Sequence, residues 1–248
     1  MAALLQTKSV GMRYSNKQAL KVVDMAIKSG KIIGLLGPNG SGKTTLMKLI
    51  AGLLQASSGE VVYPNNARRG VESKATISFM PDELRFPCYM KVEDAFSFYR
   101  DMYPDYSQER ALQMQKLLDI DVDLKTKIKT LSKGQQERMA LALAFSRQTK
   151  VYLLDEPLGG IDPVGKKKII DAILAMQLDD CSIIISTHLV KDVERIFDCV
   201  YFISGGSIVF KGNCDEMREG SGKTVEEAYL EVFTHLNGEG KGGSYDGS

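Results

Sequence analysis

The residues best suited to chemistry in this sequence begin at position 37. Gly37, Pro38, Asn39, Gly40, Ser41, Gly42, Lys43, Thr44 and Thr45 follow one another. They fit G-x-x-x-x-G-K-[ST], with Gly37, Gly42, Lys43 and Thr44 in the fixed positions. The glycines let backbone N–H groups turn inward on phosphate oxygens, where a side chain would obstruct them. Lys43 is placed to reach the β- and γ-phosphates of a nucleotide, and the Thr44 hydroxyl to sit on Mg²⁺. Such a loop works between a strand and a helix N-terminus, whose free N–H groups face the anion. Residues 31–36 read as that strand and 45–54 as that helix. The expectation is a site for a nucleoside triphosphate.

Two further stretches could act with this loop. Residues 151–156 are four apolar residues ended by Asp155 and Glu156. A buried strand that delivers Asp155 at its C-terminal end suits a carboxylate on Mg²⁺. Glu156 beside it suits a general base for an attacking water. Alone, an acidic pair after a strand is as often a surface turn; a phosphate loop in the same chain favours the first reading. Leu131, Ser132, Lys133, Gly134 and Gln135 open a helix-like run. Ser132 is a good N-cap, and Gly134 leaves the helix start open to a phosphate oxygen, although an ordinary capped helix has the same pattern.

Taken in order, these residues resemble the nucleotide-binding subunit of ATP-binding cassette (ABC) transporters, over nearly the whole chain. Residues 37–45 match the family's Walker A loop, and 151–156 its Walker B strand with the catalytic glutamate. Residues 131–135 match its L-S-G-G-Q signature, with Lys133 in place of the first glycine. Gly160, Ile161 and Asp162 resemble the D-loop, and His188, after the strand-like run 182–186, resembles the switch histidine. Tyr14 falls where the family stacks an aromatic ring on adenine. One position departs from the pattern: Asp82, after the run 75–80, stands where the family usually has a Mg²⁺-contacting glutamine. A carboxylate there is shorter and charged, and suits metal contact through water.

The resemblance implies cofactors, mechanism and partners. ATP and Mg²⁺ would be bound, the metal by Thr44, Asp155 and Asp82. Two subunits, identical or different, would pair head to tail. Ser132, Lys133, Gly134 and Gln135 of one would then complete the ATP site of the other, and His188 would hold the γ-phosphate. Hydrolysis would drive a separate membrane-spanning subunit, which places this chain in the cytoplasm against the inner face of the membrane. The compact middle insertion and Asp82 look most like cassettes of the ABC-2 type bacterial exporters. Two other readings stand beside this one. A soluble ATP switch acting on nucleic acid or ribosomes belongs to relatives with coiled-coil insertions, zinc modules or tandem cassettes, which this sequence lacks. A non-hydrolysing regulatory subunit fits poorly with Glu156 and His188.

The elements that must position these groups can also be read. Residues 4–27 alternate in short apolar steps around a turn at 14–18, which predicts a small antiparallel sheet. Residues 57–63 read as turn and strand, 65–72 as a polar loop, and 75–80 as a strand. Helical spacing then dominates in 92–103, 108–118 and 135–146. From 150 on, strands at 151–154, 182–186, 199–203 and 207–211 alternate with helices at 164–176 and 189–197. The expected fold is α/β: a P-loop NTPase core with a mostly parallel sheet, an N-terminal antiparallel β subdomain and an inserted helical subdomain. In domain terms, 1–81 and 148–220 form the core and 82–147 the helical insertion. Residues 221–236 are a last helix and 237–248 a disordered Gly/Ser-rich tail. Gly222, Lys223 and Thr224 imitate a second phosphate loop, but Met217 stands where its first glycine belongs.

Composition sets the outer limits. The chain has 248 residues, 44% hydrophobic and 25% charged, as expected of one soluble α/β domain with an insertion. A formal net charge of +1 gives no global field for nucleic acid, and none is expected as a partner. Cys88, Cys181, Cys199 and Cys214 form no C-x-x-C pair and read as reduced thiols of the cytosol. No signal peptide is expected, and no run approaches the roughly 18 apolar residues of a membrane helix. The loop 82–90, with Phe86, Pro87, Cys88, Tyr89 and Met90, reads as a docking surface or as packing within the helical insertion.

Overall fold

A computed structural model describes residues 3–83, 86–177 and 180–239. Its strands are β1 (Leu5–Tyr14), β2 (Lys17–Ile27), β3 (Ile32–Leu36), β4 (Ser58–Val62), β5 (Ile77–Met80), β6 (Val151–Asp155), β7 (Ser182–Thr187), β8 (Cys199–Ser204) and β9 (Ser207–Asn213). Its helices are α1 (Lys43–Ile50), α2 (Val71–Ala75), α3 (Val92–Met102), α4 (Gln108–Leu117), α5 (Lys133–Phe145), α6 (Pro163–Ala175), α7 (Val190–Val193), α8 (Cys214–Glu216) and α9 (Val225–Glu239).

β3, β6 and β7 are buried at every residue, which explains why their sequences are unbroken apolar runs rather than alternations. They lie inside a six-stranded sheet of order β5-β6-β7-β3-β8-β9, parallel except for the last pair. One face carries Ile33, Leu35, Val151, Leu153 and Ile184, which meet Leu46, Met47 and Ile50 of α1. Beyond α1 lies a second, antiparallel sheet of order β2-β1-β4, whose Leu5, Val10, Leu20, Val23 and Ile27 close the same core. The opposite face carries Ile32, Leu36, Tyr152, Leu154, Ile183 and Ile185 against α3 to α6 and α9. This is the expected α/β arrangement: α1, the helix that follows the phosphate loop, is held between two sheets.

α3, α4 and α5 all fall between β5 and β6. Arg147, just after α5, staples them to the sheet. It is 5% exposed, and its guanidinium donates to both Asp105 oxygens (3.0 and 2.9 Å), to Ile77 O (2.7 Å) and to Lys74 O (3.1 Å). Its Cζ lies over the Tyr103 ring, 4.1 Å from the ring centre. One planar fork thus joins the α3–α4 connection, β5 and α2, a task a lysine's single ammonium could not perform.

Several boundaries differ from expectation. The polar loop at 65–72 ends in α2, because the buried Ser73 hydroxyl accepts the Gly70 N–H (3.0 Å) and closes a helical turn. The strand expected from 75 therefore starts at Ile77. The helix expected at 189–197 is α7 followed by a 3₁₀ turn, Glu194–Ile196. α9 reaches Glu239, so 237–239 are helical rather than part of a disordered tail. A single glycine at 238 costs a helix only about 1 kcal/mol, and no proline stops it. Residues 240–248 lie outside the described residues. In the loop 82–90, residues 84 and 85 lie outside them too. Phe86 and Met90 pack against the core, while Cys88 is exposed and Tyr89 is 76% exposed. The expected packing thus falls on Phe86 and Met90, while Cys88 and Tyr89 are left at the surface.

Removing the Arg147 fork would strand the carboxylate and two carbonyl oxygens. Arg147→Ala is expected to lower unfolding free energy by about 3 kcal/mol, measured by urea titration. A loss below about 1 kcal/mol would show that the staple is not a main tie between these elements.

Candidate nucleotide site

The phosphate loop links β3 to α1 as the sequence requires. Gly37 allows no side chain, since a Cβ there would collide with Ile203 O and lie 2.8 Å from Ser41 Oγ. Gly42 caps α1 with φ 113°, a left-handed value that favours glycine. Pro38, Asn39 and Gly40 are exposed at the loop's crest, while Ser41 is buried and its Oγ has no hydrogen-bond partner in the protein. Asn39, Gly40, Gly42, Lys43, Thr44 and Thr45 line a cleft of about 500 Å³. Tyr14, Lys17, Gln18 and Ala19 form one wall of it, and Gly205 and Gly206 part of another. Gly206 binds these walls together. Its carbonyl accepts the Lys21 N–H (2.8 Å) and its N–H donates to Ser41 O (3.0 Å).

Lys43 is 5% exposed, and its ammonium donates to Gly37 O (2.7 Å) and Pro38 O (3.3 Å). It also stands 3.2 Å from Glu156 Oε1, an ion-pair distance without the geometry of a hydrogen bond. The other oxygen of Glu156, Oε2, is 3.0 Å from His188 Nδ1 and accepts the His188 N–H at 3.4 Å. The structure thus brings Lys43, Glu156 and His188 into one chain of contacts at the C-terminal ends of β6 and β7. That end of an open parallel sheet is where ligands bind in folds of this type.

Asp155 is fully buried, and burial pushes its carboxyl above the usual carboxylate range. The hydroxyls of Ser186 and Thr44 pull it back down, and the charges of Asp82 and Glu156 push it up again. Ser186 Oγ donates to Asp155 Oδ1, while Oδ2 is buried without a protein partner. An orphaned carboxylate oxygen beside the Thr44 hydroxyl, with Asp82 facing the same cleft, is an all-oxygen set that fits Mg²⁺. Among the described residues no group of three or more His, Cys, Asp or Glu forms a metal cage.

Other expected residues lie elsewhere. Ser132 caps α5, accepting the Gln135 N–H (3.2 Å) while Gln135 Oε1 accepts the Ser132 N–H (2.8 Å). None of Ser132, Lys133, Gly134 and Gln135 lines the phosphate cleft. A Cβ on Gly134 would meet open space, and Ser132 and Lys133 are exposed. Asp162 caps α6, accepting the N–H groups of Val164 and Gly165 at 3.0 Å each. Those bonds lower its pKa.

A family model described as ABC transporter matches residues 20–159, which take in the phosphate loop, Ser132 and Glu156. The chain belongs to the ABC transporter family. It is an ATP-binding cassette, and members of the family hydrolyse ATP. The cassette is 31% identical to the uncharacterized ABC transporter ATP-binding protein YdbJ of Bacillus subtilis, over 92% of this chain and 74% of that one. It is 25% identical to the lipopolysaccharide export system ATP-binding protein LptB of Haemophilus influenzae, over 92% and 97% of the two chains. Its fold superimposes on a dimeric bacterial ABC transporter cassette with a TM-score of 0.74 at 23% identity, covering 84% of this chain and 98% of the other.

Two residues with a place in or beside the site were missed in the sequence. Ser186 joins Asp155 to the Glu156 backbone. Its signal was the small polar end, Ser-Thr-His, of an isoleucine-rich strand. Glu137, only 7% exposed, faces a second cleft with Asp82, Glu83 and Lys133. Nothing but its apolar neighbours along α5 marked it as buried. Burial raises its pKa to about 7, with Lys133 opposing and Asp82 adding. Such an acid favours the fold while protonated, and that contribution is lost as pH rises from 4.5 through about 7. Glu137→Gln is therefore expected to stabilise the cassette at pH 8 relative to pH 5, by on the order of 2–3 kcal/mol. Urea melts at the two pH values check this; an equal effect at both would refute it.

Proposed function

We propose that this cassette binds Mg²⁺-ATP in the cleft of Lys43 and hydrolyses it as half of a head-to-tail pair. In turn it drives a separate membrane-spanning subunit. The observation that carries this reading is the position of Glu156. Its carboxylate bridges the phosphate-loop lysine and His188, at the mouth of a cleft that the signature of the same chain does not reach. In the proposed mechanism Lys43 exchanges loop carbonyls for phosphate oxygens, a stronger charge-assisted contact. Tyr14 stacks on the base, and the loop N–H groups from Gly37 to Thr45 cradle the phosphates. Glu156 takes a proton from the attacking water, and His188 orients that carboxylate and meets the γ-phosphate. Thr44 and Asp155, with Asp82 through water, would hold Mg²⁺, which neutralises charge developing on the transferred phosphoryl group.

The second copy follows from the exposed start of α5. Ser132, Lys133, Gly134 and Gln135 present a solvent-exposed helix N-terminus that an opposing γ-phosphate could meet. The dimeric cassette of similar fold supports the pairing. Asp162 and the D-loop then face the partner. No helix among the described residues is long and apolar enough to cross a membrane, and in this reading a separate subunit does so. We place the chain at the cytoplasmic face, with the exposed Tyr89 side of the loop 82–90 toward that subunit. The similarity to an export-system cassette supports export, in the manner of ABC-2 type systems. The domain limits follow the sequence reading, with a core at 1–81 and 148–220 and the helical insertion at 82–147.

Purified protein tests the core of this reading. Lys43→Ala is expected to weaken ATP binding by roughly ten- to hundred-fold in calorimetry. Glu156→Gln should bind ATP normally, lose on the order of 100-fold or more in turnover, and accumulate as an ATP-held dimer by light scattering. Unchanged turnover in Glu156→Gln would remove the assigned base. A Glu156→Gln protein that stays monomeric with saturating ATP would remove the paired site.

A further inference from the structure

We propose that Ser186 is a positioning residue that aims both acidic groups of the site through one hydroxyl. Its Oγ donates to Asp155 Oδ1 and accepts the Glu156 N–H at 3.1 Å. Ser186 has no exposed surface, and β6 and β7 pair in a register that sets Asp155 directly beside it. A hydroxyl carries one proton, so donating to Oδ1 fixes which of its lone pairs remains for the Glu156 N–H. Both bonds are made by a group that cannot trade them for water.

Two consequences follow for the acids. With one lone pair of Oδ1 engaged by Ser186, the oxygen of Asp155 that faces a cation with nothing already bound to it is Oδ2, buried and without a protein partner. The terminal torsion of an aspartate is broad and roughly two-fold, so a carboxylate without this bond could present either oxygen. Glu156, for its part, adopts φ 49°, a left-handed conformation that non-glycine residues avoid. Its N–H is held there by two acceptors from one residue, Ser186 O at 3.0 Å and Ser186 Oγ. The left-handed turn directs the Glu156 side chain back across the sheet end to Lys43 and His188 instead of onward into solvent. Ser186 touches neither the proposed metal nor the proposed water. It acts on each through its neighbour.

The inference rests on the proposed Mg²⁺-ATP site, and the test separates the two. ATP affinity is measured by calorimetry at saturating Mg²⁺, Mn²⁺ retention on ATP-loaded protein by electron paramagnetic resonance, and turnover by phosphate release. For Ser186→Ala we expect ATP affinity within about threefold of the parent, Mn²⁺ affinity weakened about tenfold or more, and kcat reduced about tenfold with KM for ATP little changed. Ser186→Thr keeps the hydroxyl on a β-branched residue suited to a strand, and should recover Mn²⁺ affinity and kcat to within about threefold. Should Ser186→Ala melt below the assay temperature, Ser186→Cys, with a similar shape and a weak donor, is read by the same criteria. Mn²⁺ affinity and kcat both within about twofold of the parent would overturn the proposal, as would a folded Ser186→Thr that recovers neither. A parent protein that binds no Mg²⁺-ATP would overturn the nucleotide reading, and this inference with it.

Discussion

A carboxylate with no exposed surface and one unpartnered oxygen sits at the end of β6, and the surrounding structure is arranged around its cost. Taking an ionised acid out of water is among the most unfavourable things a fold can do. Here Asp155 receives one hydroxyl from β7, faces another from α1, and is otherwise enclosed by apolar strands. Asp82 and Glu156 add repulsion rather than relief. A purely structural residue in this position would be better replaced by something apolar. The proposed cation would offset that cost, with the neighbouring serine and threonine around the same carboxylate and the lysine beside that of Glu156.

The scaffold holds that arrangement rigid by burying the sheet on both faces. α1 lies between the parallel strands and the small antiparallel sheet, so the phosphate loop is held at both ends, by β3 and by a helix packed on two sides. The helices between β5 and β6 sit on the other face and meet the sheet through Arg147 and the apolar cluster around Phe145 and Tyr152. Their attachment is more local. The start of α5, which carries Ser132, is tied to the end of α4 by Arg138, which donates to Leu118 O and Asp119 O.

How much of this was legible in the sequence depended on whether the signal was local. Residues 37–45 and 151–156 were readable because loop, strand end and acid pair are contiguous and each has a type that no other residue replaces. The doubly buried strands were readable from unbroken apolar runs. α2 was not, because its turn is closed by a single buried serine in a polar stretch that reads as loop. The end of α9 was misplaced because glycine weakens a helix without forbidding it. Ser186 and Glu137 were invisible for a different reason. Their roles come from what stands across the fold, a strand register in one case and a burial environment in the other, and the polar end of β7 and the apolar neighbours on α5 mark the positions without the roles.

The turn at Gly206 gives the cleft a property that its lining residues alone would not. It ties Lys21, on the strand that carries Ala19, to Ser41 in the phosphate loop, and a side chain at 206 would strike the Ala19 carbonyl. The wall with Tyr14 and the loop with Lys43 belong to different sheets, yet Gly206 bonds them together through Lys21 and Ser41. Whatever lies between them is measured against a fixed span. The cleft is a ruler whose two ends are joined by backbone bonds through Gly206, while side chains such as Tyr14 line the span between them.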